Sequence, residues 1–529
     1  MTLLSALRAA VEAGEELGPE VLARDSPTPG IPEHRGPELL PLEPGEQYRF
    51  TFAMDVCVGC HSCEVACAEQ NDLPVEEAWR RVGELEGGSY PHTRRLHLSM
   101  ACNHCLEPTC LSGCPTKAYE KLPNGIVAHL ASECIGCEYC IWNCPYEVPV
   151  FSETRRIVSK CDMCRPRLEE GQAPACVLAC PTSAIGIEAV DVAAWRADHA
   201  RADGPGLPPS TITLSTTRIV VPDSAPVGLV PADDDRVIRP EKPHWPLIVL
   251  TLLTQLSLGT VASAVLLEAG GASVGGRAGL VGAALAAWLS AAVALSAAVL
   301  HLGRPSRALK ALRNLGTSWL SREVAAFSAF SLVSFAYAAS WTAAGGWLPG
   351  LGLGLLAAAL GVAGVYASAR LYLVAARPVW NSRRTPVGFF ATAAATGPLL
   401  ALLCLDRSRL EPAWVGVLVA VSAAGVLAQI AAHVHLVVVV RRRGDRQHAG
   451  TAELLLDRFR MLFCARLAAA GGGILLAATA LAVPVAGPAA GGRLATALVV
   501  LALGELAGRY LFFVTVVPFR TAGSFVRSR

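Results

Sequence analysis

The sequence predicts two halves of different fold class: a cysteine-rich α+β domain and, after it, an all-α bundle of eight transmembrane helices. Two observations predict this division. All of the 18 cysteines except Cys404 and Cys464 lie between Cys57 and Cys180. Beyond residue 246 the sequence runs through long apolar segments, and its charged residues stand in short breaks between them. A length of 529 residues leaves room for several domains.

The sequence divides into five predicted regions, of which the first is a poorly ordered leader arm with a Pro-rich tail. Its start has no uninterrupted apolar core, because charged side chains such as Arg8 and Glu12 interrupt it. We therefore expect a short amphipathic helix there and no secretory signal peptide. The net charge of +2 provides no basic field for binding nucleic acid. The regions are the leader arm at 1–46, the cysteine domain at 47–190, a polar connector at 191–245, the membrane anchor at 246–520 and a tail at 521–529.

The cysteines of the first half fall into four groups of four. Groups one and three have the spacing C-x2-C-x2-C-x3-C, which is typical of bacterial ferredoxins: three thiolates bind one [4Fe–4S] cube and the fourth binds its neighbour. A proline follows the last cysteine of groups two, three and four and ends the local turn, whereas Ala68 follows group one. The groups are Cys57, Cys60, Cys63 and Cys67; Cys102, Cys105, Cys110 and Cys114; Cys134, Cys137, Cys140 and Cys144; and Cys161, Cys164, Cys176 and Cys180.

Zinc sites and disulfide bonds are the two alternatives to iron–sulfur clusters. Zinc takes four ligands per ion and has no use for the third and fourth cysteine at these spacings. Disulfides require an oxidising compartment and no such regular pattern. Four complete groups therefore predict four [4Fe–4S] clusters in a ferredoxin-like α+β domain of two pseudo-repeated modules. A row of cubes without a substrate pocket of its own is typical of a protein that conducts electrons.

The second half contains eight windows long enough to cross a bilayer, which takes about 20 residues. Most of them contain no charged residue, so the sequence predicts a polytopic helical bundle. The mobile electron carrier inside a bilayer is a quinone, and the membrane anchor is where it would meet the clusters. The windows lie near 247–268, 278–300, 324–344, 347–369, 386–405, 412–440, 467–487 and 494–517.

Motifs in both halves resemble one family of membrane-bound oxidoreductases. "CIGCEYCIWNCPYEVP", "KCDMC" and "PACVLACP" resemble the four-cluster iron–sulfur subunit of dimethyl sulfoxide reductase and related molybdoenzymes. "HWPLIV", "HLGRPSRALKALRNLGTSWLSRE", "TPVGFFATAAATGPLL" and "GELAGRYLFF" resemble the membrane-anchor subunit of the same enzymes. The sequence thus resembles a fusion of two subunits. The resemblance implies a separate catalytic subunit with a molybdenum bis-pterin cofactor, and electron transfer between that subunit and the quinone pool.

The resemblance also implies which cysteines share a cube, because in this family groups one and four pair in one module and groups two and three in the other. We name the four implied ligand sets A to D. All third-position ligands are cysteine, so no group is built for a three-iron cluster. Set A is Cys57, Cys60, Cys63 and Cys180; set B is Cys67, Cys161, Cys164 and Cys176; set C is Cys102, Cys105, Cys110 and Cys144; set D is Cys114, Cys134, Cys137 and Cys140.

His301 and Glu323 are the candidate quinol residues. Oxidation of a quinol releases two electrons and two protons, so the site needs a hydrogen-bonding base near a cluster. His301 ends the second apolar window and Glu323 opens the third, so both lie at the same membrane surface. The resemblance implies a quinol-site role for both, since the His of H-L-G and the Glu after S-R belong to that site in the family. From the residues alone, an interfacial histidine and a favourable charge at a helix N-terminus are the alternatives.

Other polar residues of the membrane half allow a structural interpretation. Glu505 and Arg509 stand four residues apart, so they share a helix face and can form an ion pair, although intramembrane charges also indicate functional sites. His433 and His435 point about 200° apart around a helix, so they cannot both bind one haem. No haem is therefore expected. Cysteines 404 and 464 are expected to be ordinary membrane-phase residues.

The distribution of Lys and Arg predicts that the iron–sulfur domain faces the cytoplasm. With eight spans, this domain shares one side with the C-terminus and the loops after the second, fourth and sixth windows. That side carries five Lys and Arg in 301–322, four in 370–385, seven in 441–466 and three beyond 518. The opposite side carries only Arg277, Arg407, Arg409 and Arg493, and short loops rich in Lys and Arg stay in the cytoplasm.

The sequence leaves the direction of electron flow and the terminal substrate open. A cytoplasmic domain favours a nitrate-reducing or sulfite-oxidising partner over a respiratory S-oxide reductase, while N-oxides remain a further substrate class. Run in reverse, the same protein would take electrons from a substrate such as sulfite into quinone. A third hypothesis is an anchor and docking module without quinone chemistry of its own.

Overall fold

A computed structural model of the protein describes residue 39 and residues 41–523, except 227, 233–236, 272–276, 343–349 and 485–486. Most of the predicted leader arm and of the predicted tail therefore lies outside the described residues. The described part contains a small α+β region at its start and a helical region at its end, as the sequence predicts.

The α+β region contains short strands that form small sheets around the cysteines. β1 pairs with β8 in antiparallel fashion and with β9 in parallel fashion, β2 pairs with β3 and β10, and β4–β5 and β6–β7 form two-stranded sheets. The strands are β1 Glu46–Ala53, β2 Arg81–Ser89, β3 His92–Met100, β4 Tyr119–Lys121, β5 Val127–His129, β6 Val150–Ser152, β7 Ile157–Ser159, β8 Ile185–Asp191, β9 Arg218–Val220 and β10 Val230–Pro231.

The strand pairing explains how distant cysteine groups meet. β1 ends just before group one and β8 begins just after group four, so their register brings these two groups to the same end of one sheet. The β4–β5 pair connects groups two and three in the same way. Two modules follow from this pairing, one that joins groups one and four and one that joins groups two and three.

Short helices carry many of the cysteines, and the connector after them folds back onto the domain. β9 lies in the connector and extends the β1–β8 sheet, so part of 191–245 belongs to the cysteine domain. The short helices are α1 Ser62–Gln70, α2 Thr109–Gly113, α3 Tyr139–Asn143, α4 Arg165–Glu169, α5 Ala175–Leu178 and α6 Val192–Asp198.

Eight helices of the second half are long and apolar enough to cross a membrane. A short helix, α13, follows the sixth of them. They are α7 Trp245–Ala269, α8 Arg277–Leu300, α9 Trp319–Thr342, α10 Gly350–Leu371, α11 Arg384–Cys404, α12 Pro412–Arg442, α13 Arg446–Glu453, α14 Arg460–Thr479 and α15 Pro488–Val514.

Some of these helices begin earlier than the predicted apolar windows. The third begins at Trp319, so Glu323 lies inside it, one turn from its start. The seventh begins at Arg460. Hydropathy alone trims such ends because it discounts polar residues, whereas Ser321 and Arg466 here lie buried against protein partners.

The two halves of the protein share one apolar core. Tyr139 and Trp142, which stand between cysteines of group three, pack into the core of the membrane helices. Within the bundle, α7 and α11 approach so closely that a side chain at Gly259 would overlap the backbone of Ala393, as small residues permit in membranes. The iron–sulfur domain is therefore packed directly on the membrane helices.

Candidate iron–sulfur and quinol sites

Two turns that carry cysteines repeat the same backbone geometry. Gly59 in group one and Gly136 in group three have φ of +66° and +68°, and His61 and Glu138, two residues further on, have φ of +60° and +58°. Glycine adopts positive φ without a steric penalty, which explains the C-x-G-C sequence at both turns. The repeat supports the prediction of two related modules.

Set A lines one cavity. Cys57, Cys60, Cys63 and Cys180 surround it together with Ser99. The Ser99 hydroxyl lies 3.5 Å from the Cys63 sulfur. Set C lines a second cavity in the same way, with all four of its cysteines. In both cavities, three cysteines of one group meet the last cysteine of another, as the resemblance implies.

The cysteines of sets B and D also lie close to one another. Burial raises the pKa of the Cys137 thiol, and the neighbouring charge of Cys114 raises it further. Cys114 acts on the pKa values of Cys134 and Cys140 in the same direction, so group two contributes one member to set D. Set B behaves alike.

In set B, burial raises the pKa of Cys67 to about 12, and the neighbouring charges of Cys176 and Cys164 add to the shift. Burial raises the pKa of Cys110, a member of set C, to about 12 as well. As free thiols these groups are protonated at neutral pH, so metal binding must displace their protons.

Backbone amides are aimed at the cysteine sulfur atoms. The amide of Gly136 lies 3.4 Å from the sulfur of Cys134, and that of Met163 lies 3.3 Å from the sulfur of Cys161. The Ala184 amide is 3.2 Å from the Cys180 sulfur. Among the described residues, no three His, Cys, Asp or Glu side chains converge on a single metal ion. Cavities lined by four thiols and N–H donors suit the larger [4Fe–4S] cube, whose potential such hydrogen bonds tune.

Two buried basic side chains stand between the cysteine sets. Arg80 and Lys160 are each only 3% exposed. Burial acts to lower the pKa of Arg80, but the charges of cysteines from sets A and B, led by Cys176 and Cys63, raise it overall. Lys160 faces Cys102 and Cys110 of set C and Cys161 of set B. Sequence reasoning missed both, although Lys160 stands next to Cys161 in the motif "KCDMC".

Set D lies against the membrane helices. The backbone amide of Gly303 donates to the carbonyl of Gly136 (3.2 Å), and Asn314 donates to the carbonyl of Cys114 (2.8 Å). Lys310 and Arg313 both pair with Glu133, next to Cys134. The loop between α8 and α9 therefore holds the two cysteine-bearing turns of set D.

His301 lies at this interface among aromatic rings. Its ring centroid is 5.4 Å from that of His244, and His244 lies 5.1 Å from Trp142, which stands between Cys140 and Cys144. The Nε2 atom of His301 is buried without a hydrogen-bond partner in the described structure. Burial lowers the pKa of His301 to about 4. The imidazole is therefore neutral at neutral pH and free to accept a proton.

Glu323 is also buried at this interface, 4% exposed. Burial raises the pKa values of Tyr139 and Tyr372, and the neighbouring charge of Glu323 raises both further. Tyr139 follows Glu138 in the group-three turn and donates to the carbonyl of Leu371 (2.9 Å). The described contacts include none between His301 and Glu323. Trp142 and Tyr372, whose rings are 5.9 Å apart, stand between their surroundings.

The expected Glu505–Arg509 ion pair needs correction. In the described structure Glu505 pairs with Arg466 at 3.7 Å, while Arg509 donates to the side-chain oxygen of Gln255 at 2.5 Å. Helix spacing identified the shared face but not these partners, which come from other helices. His433 bonds Arg466 through its ring.

Comparison with known proteins gives a family match for each half. Residues 241–514, more than half of the sequence, match the family described as DMSO reductase anchor subunit (DmsC). Residues 94–189 match the 4Fe-4S dicluster domain family. The second match covers groups two to four, and group one lies before it.

Relatives with curated names are similar to the first half. One of the two is a component of the anaerobic dimethyl sulfoxide reductase of Haemophilus influenzae, which is 37% identical over 177 residues, 32% of this protein and 86% of the relative. The other is a component of the sulfite dehydrogenase of Allochromatium vinosum, which is 36% identical over 160 residues, 26% of this protein and 67% of the relative.

A third relative has a name that states its role. It is the thiosulfate reductase electron transfer subunit PhsB of Salmonella typhi, which is 39% identical over 140 residues. These residues are 26% of this protein and 72% of the relative. All three relatives are therefore similar to the iron–sulfur half, while the family match of residues 241–514 accounts for the membrane half.

Proposed function

This protein belongs to the DMSO reductase anchor subunit family, fused here to a 4Fe-4S domain, and on this premise we propose that it passes electrons between membrane quinol and a separate catalytic subunit. It is a multi-pass membrane protein with an electron-transfer iron–sulfur domain. The proposed path runs through four [4Fe–4S] clusters, held by sets A, B, C and D in that order from the far end of the domain to the membrane.

The observation that carries this proposal is the position of set D. Its turns bond the loop that begins at His301, and Trp142 beside Cys140 packs into the membrane core. At the other end Cys60 of set A is exposed, which suits transfer to a second protein. Bound clusters would supply one-electron carriers along this path. Arg80 and Lys160 would stabilise their negative charge.

The membrane residues of the proposed quinol site would handle protons. His301, neutral and with an unpartnered Nε2, accepts one proton from a quinol hydroxyl. The buried carboxylate of Glu323 is positioned to accept the second. The aromatic rings of His244, Trp142 and Tyr372 exclude water between this site and set D.

The names of the relatives support a catalytic partner subunit. The dimethyl sulfoxide reductase, sulfite dehydrogenase and thiosulfate reductase relatives are each named as one component of an enzyme. We propose a molybdenum bis-pterin partner for this protein. The sulfite dehydrogenase relative supports a second candidate function, in which electrons flow from the partner into quinone.

The test of the proposed function is the rate at which quinol reduces the clusters. In the anaerobically purified protein, His301→Gln should slow quinol-driven bleaching of the clusters at least about a hundredfold, because general base catalysis contributes about that much. Reduction by a soluble dye should be unchanged, and Glu323→Gln should behave like His301→Gln. Equal loss with both donors would mean that His301 supports assembly and not quinol oxidation.

We further propose that the iron–sulfur domain faces the cytoplasm. The charge asymmetry of the loops supports it, although Arg304, Arg307, Lys310 and Arg313 also bond the iron–sulfur domain and so serve docking as well. A reporter active only in the cytoplasm, fused after Arg529, should be active. Activity of a periplasmic reporter at the same point would overturn this orientation.

A further inference from the structure

Two adjoining cavities lie at the end of the membrane bundle that faces the iron–sulfur domain, away from His301 and Glu323. The inner chamber, of about 110 Å³, lies between α11, α12, α14 and α15. The vestibule, of about 520 Å³, lies between the start of α11 and the end of α12. Ser382, Arg384 and Ala432 line both, so the two cavities share a wall.

The inner chamber carries more positive than negative charge. Arg384, Arg466 and Arg509 line it, and Glu505 is the carboxylate that pairs with Arg466. In the described structure Arg509 bonds the neutral side chains of Gln255 and Thr392, and Arg384 bonds the hydroxyl of Ser382. Three guanidinium groups thus face one carboxylate. Buried charge of one sign is costly unless a counter-charge compensates it.

Donors without partners line the same chamber. The Nη1 atom of Arg384, the Nε atom of Arg509 and the hydroxyl of Thr451 are buried and have no hydrogen-bond partner in the described structure. All three residues line the inner chamber. Buried donors are normally satisfied, so the chamber is built for a group that is rich in acceptor oxygens.

The vestibule joins a basic rim to an apolar wall. Arg383, Arg384 and Arg443 line it, and no Asp or Glu is among its described lining residues. Its wall includes Val387 and Val439, and Val387 is 46% exposed on the surface of the bundle. Arg384 begins α11, so the rim lies at the membrane interface. The inner chamber extends about 12 Å deeper, to a residue eight positions further along the same helix.

We propose that the vestibule and inner chamber bind one anionic phospholipid. The phosphodiester lies at the guanidinium groups of Arg383, Arg384 and Arg443, which match phosphate geometry. The polar end of the head group enters the inner chamber, and an acyl tail follows the wall beside Val387. This site is separate from the proposed quinol site and does not rest on it. A neutral quinone would fill acceptor positions but leave the excess positive charge uncompensated.

The test counts phospholipids that the full-length protein retains. Wild-type protein in nanodiscs of phosphatidylcholine with phosphatidylglycerol is moved into detergent, and bound lipid is counted by native mass spectrometry. We expect one retained phosphatidylglycerol per protein molecule. Arg384→Gln and Arg443→Gln should lower its retention roughly tenfold, because each removes a charge-assisted hydrogen bond. Arg443→Lys should restore part of it.

The matched control is Arg441→Gln. Arg441 stands at the same end of α12, is exposed and does not line the vestibule, so this variant changes net charge equally and should retain the lipid. Unchanged retention in Arg443→Gln, or equal loss in Arg441→Gln, would overturn the proposal. Displacement by inorganic phosphate alone would identify a free-anion site, and displacement by a short-chain quinone analogue would identify a quinone site; either result contradicts it. Unchanged iron content confirms that each variant is folded.

Discussion

Both halves of the protein bury basic side chains, but they surround them differently. In the iron–sulfur half, Arg80 and Lys160 face cysteines of several sets. In the membrane half, Arg466 and Arg509 are 9% and 6% exposed, and Glu505 is the carboxylate between them. The contrast indicates that buried positive charge marks a negative group which the polypeptide does not itself supply. Cysteine spacing reveals that group in the first half, whereas no motif reveals it in the second.

Removing a cysteine that joins two groups should have the greatest effect. Cys114→Ala should abolish the cluster of set D, lower the iron content by about a quarter of about 16 atoms, and stop cluster reduction by quinol. Iron analysis and anaerobic stopped-flow spectroscopy measure both. Cys404→Ala is the control, because Cys404 packs against the membrane core outside the four groups. A full iron content in Cys114→Ala would exclude Cys114 as a ligand.

Neutralising the buried cations should lower the reduction potentials of their neighbouring clusters. At about 8 Å and an effective dielectric constant of about 20, one charge is worth about 2 kcal/mol, or roughly 85 mV for one electron. Arg80→Gln should shift the clusters of sets A and B, and Lys160→Gln those of sets B and C, in an EPR redox titration. Arg95→Gln, at an exposed surface ion pair, should shift none. Unmoved potentials in both buried variants would show that these cations do not compensate cluster charge.

A smaller effect is expected where the two halves touch. A side chain at Gly303 would overlap the carbonyl oxygen of Arg156, whereas one at Gly316 in the same loop would meet nothing within 4 Å. Gly303→Ala should therefore destabilise the docked iron–sulfur domain by about 1–3 kcal/mol, as overpacking does. Thermal loss of cluster absorbance measures it. Equal behaviour of Gly316→Ala would show that the loop does not pack as described.

The pH dependence of quinol oxidation should show the weakest effect, because the expected inflection is absent. Burial lowers the pKa of His301 from 6.5 to about 4. The neutral form that accepts a proton is therefore present at all pH values well above 4, and it is lost only as pH falls through the folded-state pKa. The quinol-driven rate should show no inflection near pH 6.5. An inflection there that disappears in His301→Gln would mean that water reaches this imidazole.

The sequence predicts most of the iron–sulfur half, because cysteine spacing directly reflects the geometry of a cube. It predicts the eight spans equally well, since a bilayer imposes length and apolarity. It does not predict the docking of Asn314 on Cys114, nor the pairing of Arg466 with Glu505, because such contacts join residues far apart in the sequence. An arginine at each of positions 466 and 509, near apolar runs, was the available signal.

One anaerobic redox titration of the purified full-length protein, followed by EPR, tests whether four clusters connect a membrane quinol site to a partner. We predict four reducible [4Fe–4S] centres per protein molecule, with about 16 iron atoms, and their reduction by quinol only when His301 is intact. Two centres per molecule, or centres that quinol never reduces in the wild type, would contradict this connection.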